Sequence, residues 1–311
     1  QYKLDTVGPM HVSALTAFYL TTAALMWAGN AIVGKILVQS SSPVLLNTIR
    51  WGVTALILLP FAWRVFGSTS PLWQSSKRFA LLSLLGVGSY NVLLYLALKS
   101  STPINVTLIG ASMPIWAIVI GALFYKEQPN IKQIIGAVIS LIGVTVVIVR
   151  GELERLIEIE FVAGDLLMVL ATILWGAYSW MLSHPKESTE RTWPWSYFLL
   201  AQVGFGFCWS LGFAVTEWQL EYSYFTWSWS TVFMIIYVII GPSLIAYRCW
   251  GLGVSGAGAT VATFFTNLIP LFTAILSTLL LQKPPELFQG VAFALILAGI
   301  YLSIQKKKSV G

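Results

Sequence analysis

Ten stretches of some twenty mainly apolar residues follow one another along this chain, and no other feature limits its folding as much. They lie at about 12–38, 43–66, 78–99, 104–125, 130–149, 162–183, 194–216, 229–251, 257–282 and 285–304. Crossing the ~30 Å hydrocarbon core of a bilayer takes ~20 residues, because a helix rises ~1.5 Å per residue. Each stretch is long enough to cross once, and a helix satisfies its own backbone in lipid. The expected fold is an all-α polytopic membrane protein with ten transmembrane helices. The longest connections, 67–77, 150–165 and 216–228, leave no room for a soluble catalytic domain.

With 10% charged and 57% apolar residues, the chain lacks the charges to cover a soluble surface, which usually carries about 25%. Aromatics at 14% exclude disorder. The net charge of +6 is thus a matter of where Lys and Arg lie relative to the spans. Membrane lipid is the expected partner and nucleic acid is not. Cys208 and Cys249 both fall inside apolar runs, where a thiol packs as a small hydrophobe. Residues 1–9 look non-native, with Gly8-Pro9 resembling a protease scar. The first span is long enough to stay in the bilayer without a cleaved signal.

Placing the N-terminus inside puts twelve of the Lys and Arg residues on the inner side and six on the outer side. The largest outer loop is acidic instead, with Glu152, Glu154, Glu158, Glu160 and Asp165. Both termini are therefore expected in the cytoplasm. Trp218, Tyr222, Tyr224, Phe225, Trp227 and Trp229 then fall at the outer face as an interfacial aromatic belt.

The chain also resembles itself. A shift of 156 superimposes Pro114 on Pro270, Leu123 on Leu279, Pro129 on Pro285, Gln133 on Gln289 and Gly143 on Gly299. A shift of 148 superimposes Ala24-Leu25-Met26-Trp27 on Thr172-Ile173-Leu174-Trp175. The organisation expected is a first five-helix repeat over 10–150, a connecting outer loop at 151–164, a second repeat over 165–305 and a basic cytoplasmic tail at 306–311. Five is odd, so the second unit enters the membrane upside down relative to the first. Inverted repeats meeting near the midplane are a transporter architecture, with substrate held between them.

Several short motifs then fall in a recognisable order: Trp27-Ala28-Gly29-Asn30, Asn47-Thr48-Ile49-Arg50-Trp51, Met113-Pro114, Tyr125-Lys126-Glu127, and Gly136 through Gly143-Val144. Ile269-Pro270 and Ala298-Gly299-Ile300 echo them in the second half. In this order and doubling, the chain from about 12 to 304 resembles the drug/metabolite transporter superfamily, the ten-helix EamA type. It departs from the pattern after the ninth span, where Lys283 stands in place of the expected glutamate and Glu286 follows. Within the superfamily it looks most similar to the YddG-type aromatic amino-acid exporters. That resemblance implies export of amino acids across a bacterial inner membrane.

No Asp or Glu lies in the central part of a span, and His11 and His184 sit at ends. Intramembrane carboxylates and histidines are the usual proton relays, so facilitated transport is expected, with proton coupling the alternative. Clustered metal ligands and paired titratable groups at one depth are missing too, and so is a phosphate-binding loop. Neither an enzyme nor a cofactor is expected.

The candidate binding residues are aromatic and amide groups that share helix faces. They are Trp27 and Asn30 in the first span, Tyr90, Asn91 and Tyr95 in the third, and Met113 in the fourth. Trp175 and Tyr178 in the sixth, Trp250 in the eighth beside Tyr247, and Thr263 and Asn267 in the ninth complete the set. Rings would stack on an apolar side chain, while amides and freed carbonyls take the ammonium and carboxylate of an amino acid. Pro114, Pro242 and Pro270 are candidate hinges: each lacks an N–H, which frees the carbonyls of Gly110, Val238 and Thr266. Thr107, Ser112, Thr263, Thr266 and Asn267 are near enough to help satisfy such carbonyls.

Lys35 and Arg248 are close enough to span ends to snorkel. Arg50 lies deeper, with two readings open: a contact to a substrate carboxylate, or a structural bond to carbonyls freed at a kink. Small residues at Gly136, Ser140 and Gly143, answered by Ala294, Ala298 and Gly299, suggest that the fifth and tenth spans form a central or dimer-type packing pair, as monomer or weak dimer. The functional expectation is a secondary exporter of amino acids. Its alternatives are a proton-coupled exporter of another metabolite or drug, and a membrane scaffold without flux of its own.

Overall fold

The computed structural model describes residues 12–101, 103–157, 162–185, 192–280 and 286–305. Residues 1–9, Lys283, the 306–311 tail and part of the 151–164 loop lie outside them. Eight crossings are single elements: α1 Ala14–Ser40, α2 Pro43–Phe66, α3 Ser76–Ser100, α5 Ile131–Ile148, α6 Ala163–Ser183, α7 Trp195–Gln219, α8 Trp229–Ala257 and α10 Leu287–Ile304. The other two are broken. α4 consists of Pro103–Gly110 and Met113–Phe124. α9 runs as Ala259–Phe264, a 3-10 turn at Phe265–Asn267, and Leu268–Leu280. Among the described residues nine helices are long and apolar enough to cross a membrane, and the apolar part of α4, Leu108–Phe124, is the short tenth.

The chain alternates direction at each crossing. We call the face on which α1 begins proximal and the opposite face distal. Polar contacts pin both. Proximally, Asn130 at the start of α5 donates to the carbonyl of Gln305 after α10, at 2.9 Å. Distally, Arg150 pairs with Glu286 at 3.0 Å, and Ser101 donates to Asp165 at the start of α6.

The packing follows the internal repeat. α2 packs on α7 and α5 on α10, each beside its own counterpart. α3 packs on α6 as α1 packs on α8, and α4 on α6 as α9 on α1. These pairings exchange when the repeats are exchanged, so a pseudo-twofold runs through the bundle. Local irregularities repeat as well. π-helical turns occur at Leu84–Ser89 in α3 and Ile239–Ile245 in α8. Capping boxes start α5, at Asn130 and Gln133, and α10, at Glu286 and Gln289.

Three expectations need correction. Pro114 does not kink a continuous helix. The helix stops at Gly110, and Pro114 sits in the first turn of the next segment, where a missing N–H costs nothing. The buried face of α10 carries Ala292, Ile296 and Gly299, while Ala294 and Ala298 are exposed. Gly136 and Gly299 let the α5 and α10 backbones meet, since a Cβ at Gly136 would stand 2.7 Å from the Gly299 carbonyl. Finally, Trp218, Tyr222, Trp227 and Trp229 are exposed as a belt requires, but Tyr224 and Phe225 turn inward. The Tyr224 hydroxyl donates to the Val38 carbonyl at 2.5 Å, and Phe225 bridges to Ser41.

Candidate functional site

α1, α3, α4, α6, α8 and α9 enclose a cavity of about 100 Å³ in the middle of the bundle. Six of the expected binding residues line it: Trp27, Asn30, Tyr90, Asn91, Met113 and Trp175, with Pro270 of the expected hinges. The breaks in α4 and α9 bring backbone to the wall at Gly110, Ala111, Thr266 and Ile269. Irregular backbone is tolerated at this depth only where it is buried in protein or lines a cavity.

A second cavity of about 490 Å³ lies on the proximal side, between the end of α6, the start of α7 and the later part of α8. Tyr178, Gln202 and Arg248 line it, and the Arg248 guanidinium lies 5.4 Å from the Trp195 ring centre. An aromatic septum separates the two spaces. Trp27 and Trp175 meet edge to face with centroids 5.1 Å apart, and Trp250 packs on both at 5.3 and 5.6 Å. Tyr90 and Tyr178 lie 4.8 and 4.9 Å from Trp175. Tyr247 borders both cavities.

The remaining expected residues stand elsewhere. Trp250 is in the septum, behind Trp27 and Trp175. Tyr95 supports the wall by donating to Asn30 Oδ1 at 3.4 Å. Tyr178 faces the proximal cavity and bonds Gln202 at 3.3 Å. Thr263 turns its hydroxyl back to the Thr260 carbonyl. Asn267 faces α5, where its amide donates to Ser140 Oγ at 2.8 Å. Among the hinges, Pro114 and Pro242 are not in the cavity wall.

Arg50 reaches from α2 to the π-turn of α8 and to the Asn91 amide of α3. It is 1% exposed, and its Nε donates to Ser243 Oγ at 2.5 Å, whose own proton goes to the Val238 carbonyl at 2.8 Å. Val238 is the residue whose α-helical donor Pro242 removes; in the π-turn at Ile239–Ile245 its carbonyl takes the Ser243 backbone N–H, and the Ser243 hydroxyl adds a second bond. A second guanidinium nitrogen, Nη1, donates to Asn91 Oδ1 at 2.9 Å. The charge also lies 4.8 Å from the centre of the Trp51 ring, a cation–π distance. Tyr247 stands beside the Asn91 amide and the guanidinium, and gives its own proton to the Gly86 carbonyl in the π-turn of α3.

Sequence reasoning overlooked Ser243 and Glu217. Glu217, 9% exposed at the distal end of α7, accepts from Ser42 Oγ at 2.7 Å and from the Leu45 amide at 3.2 Å. It caps the N-terminus of α2 from another repeat, and no local pattern announces such a cap. Tyr247 carried a signal, its i,i+3 spacing to Trp250.

The EamA-like transporter family model matches residues 14–149 and 162–305, five crossings in each stretch. A protein of Archaeoglobus fulgidus described as an uncharacterized transporter is 26% identical over 298 residues, covering 95% of this chain and 99% of its own length. The uncharacterized transporter YyaM of Bacillus subtilis is 24% identical, covering 92% of this chain and 90% of its own. A solved crystal structure at 17% identity superimposes with a TM-score of 0.72 over 92% of this chain and 95% of that one, which shows a shared fold.

Proposed function

The chain belongs to the EamA-like transporter family, and from that premise we propose that it is a facilitative exporter of neutral amino acids, aromatic ones among them. The observation that carries this reading is the central cavity, walled by Trp27, Tyr90 and Trp175 with the amides of Asn30 and Asn91. Indole and phenol rings suit an apolar or aromatic side chain, and the amides suit the polar end of a zwitterion. Among the described residues no carboxylate or histidine lines the cavity, and such groups are the usual proton relays.

Alternating access would proceed through the septum, which stands between the central and proximal spaces. The broken helices α4 and α9 supply backbone on both sides of the central cavity that could rearrange without disrupting a continuous helix. The Lys and Arg distribution favours a cytoplasmic proximal face, so substrate would load through the proximal cavity and leave distally. We place the protein in a bacterial inner membrane on the same reading.

The test is tryptophan flux in proteoliposomes, with and without an imposed pH gradient. Saturable flux indifferent to the gradient is expected. Gradient-driven flux would mean proton coupling, and absence of flux for tryptophan and competing amino acids would remove the substrate assignment while leaving the family intact.

A further inference from the structure

The buried side-chain donors left without a partner around the central cavity point to its ligand. The Arg50 guanidinium is buried at mid-bundle, carries a permanent positive charge, and bonds only neutral groups, Ser243 and Asn91. Its Nη2 makes no hydrogen bond. A guanidinium only donates, so Asn91 must turn its oxygen to Arg50 and its NH2 away. That NH2 stands beside the Tyr247 hydroxyl oxygen, which takes one of its two protons, and both residues line the cavity. The indole N–H of Trp175, in the same wall, and of Trp250 behind it are unpartnered as well. All three unpartnered groups are donors. Among the described residues no Asp or Glu lines the cavity to balance the charge.

Buried donors without partners are costly, and so is a buried charge without a counter-ion. A ligand carboxylate remedies both: it accepts from Asn91 and Trp175 and lies one hydrogen bond from the guanidinium. A ligand ammonium finds no matching anion.

We propose that this cavity recognises its substrate by the carboxylate, with Arg50 supplying the charge through Asn91, and that it accepts aryl- and alkyl-carboxylic acids lacking an amino group. Amines of the same size are excluded. The proposal rests on the reading of this cavity as the substrate site and does not require that the substrate be an amino acid.

The experiment compares three ligands with one side chain. Proteoliposomes take up radiolabelled phenylalanine in competition with 3-phenylpropionate, which lacks the ammonium, or phenethylamine, which lacks the carboxylate. Labelled 3-phenylpropionate is also offered alone. Phenylpropionate should compete and enter saturably, while phenethylamine should do neither. In Asn91→Asp the new carboxylate faces Arg50 and takes the place of the ligand's. This variant should keep its thermal stability in detergent and lose phenylpropionate competition by about 30-fold, the scale of a buried charge contact. Equal competition by phenethylamine, or undiminished competition in a folded Asn91→Asp, overturns the proposal and leaves amino-acid export standing. Saturable phenylpropionate uptake without any phenylalanine flux does the reverse. Saturable uptake of neither compound removes both.

Discussion

Trp27 and Trp175, which a shift of 148 superimposes in the sequence, touch at the centre of the bundle with ring centroids 5.1 Å apart and planes at 89°. The pseudo-twofold therefore passes close to this contact, and the septum is built where the two repeats meet. Edge-to-face rings gain about 0.5–1.5 kcal/mol beyond the area they bury. Trp175 touches Trp27, Tyr90, Tyr178, Tyr247 and Trp250 at once.

Trp175→Ala should accordingly do two things. Truncating so large a buried ring costs about 3–5 kcal/mol where the site cannot collapse. It also removes the ring between the central and proximal cavities. Thermal unfolding in detergent should fall, and saturable substrate exchange should give way to a non-saturable leak. Retention of saturable exchange at the wild-type rate would show that the septum is not the barrier.

The bond between Arg50 and Ser243 couples the two repeats at the π-turn of α8. Ser243→Ala leaves the guanidinium Nε without a partner, while the Val238 carbonyl keeps the backbone N–H of position 243, and the change should cost about 1–3 kcal/mol. Pro242→Ala restores the N–H that lets Val238 return to an α-helical bond, which removes the π-turn register that presents Ser243 to Arg50. In a double-mutant cycle on unfolding free energy, the pair should be less harmful than the sum of the two single changes. Strict additivity would mean that the bond from Arg50 to Ser243 does not depend on the turn that Pro242 imposes.

These two cases show where sequence reasoning reaches and where it stops. Span length, the duplication and the aromatic faces were legible because they depend on local periodicity and self-similarity, and Trp27, Asn30, Tyr90, Asn91 and Trp175 share one wall. The need to partner Asn267 was legible too, but its partner, Ser140, lies 127 residues away. Arg50 and Ser243 are separated by 193 positions, and Ser42 and Glu217 by 175. Apolarity tells which residues are in lipid, whereas helix adjacency tells which polar groups meet. The break in α4 was hidden for a related reason. Pro114 announces an irregularity, but only packing decides between a kink and a stop.

Glu217 tests the distal join. Its carboxylate accepts from the Ser42 hydroxyl and the Leu45 amide at the start of α2, where the helix dipole favours negative charge. Glu217→Ala should lower unfolding free energy by about 1–2 kcal/mol, the range of a lost N-cap. Glu217→Gln keeps an acceptor and should lose less. If both variants unfold with wild-type midpoints, the cap contributes nothing and the Tyr224–Val38 bond holds the join.

Two glycines of α10 should respond to the same substitution with opposite signs. A Cβ at Gly299 would stand 2.6 Å from both the Gly136 carbonyl and Ser140 Cβ, so the α5–α10 backbones would have to separate. Overpacking of this kind costs about 1–3 kcal/mol, and Ser140 would be pulled from its bond to Asn267 in the turn of α9. Gly290 has nothing within 4 Å of its Cβ position. There Gly290→Ala only improves helix propensity, by up to about 1 kcal/mol. Thermal unfolding of the two variants side by side separates contact from propensity. Stabilisation by Gly299→Ala would mean that α5 and α10 are not held at backbone contact, and a loss on Gly290→Ala would mean that another surface covers that face.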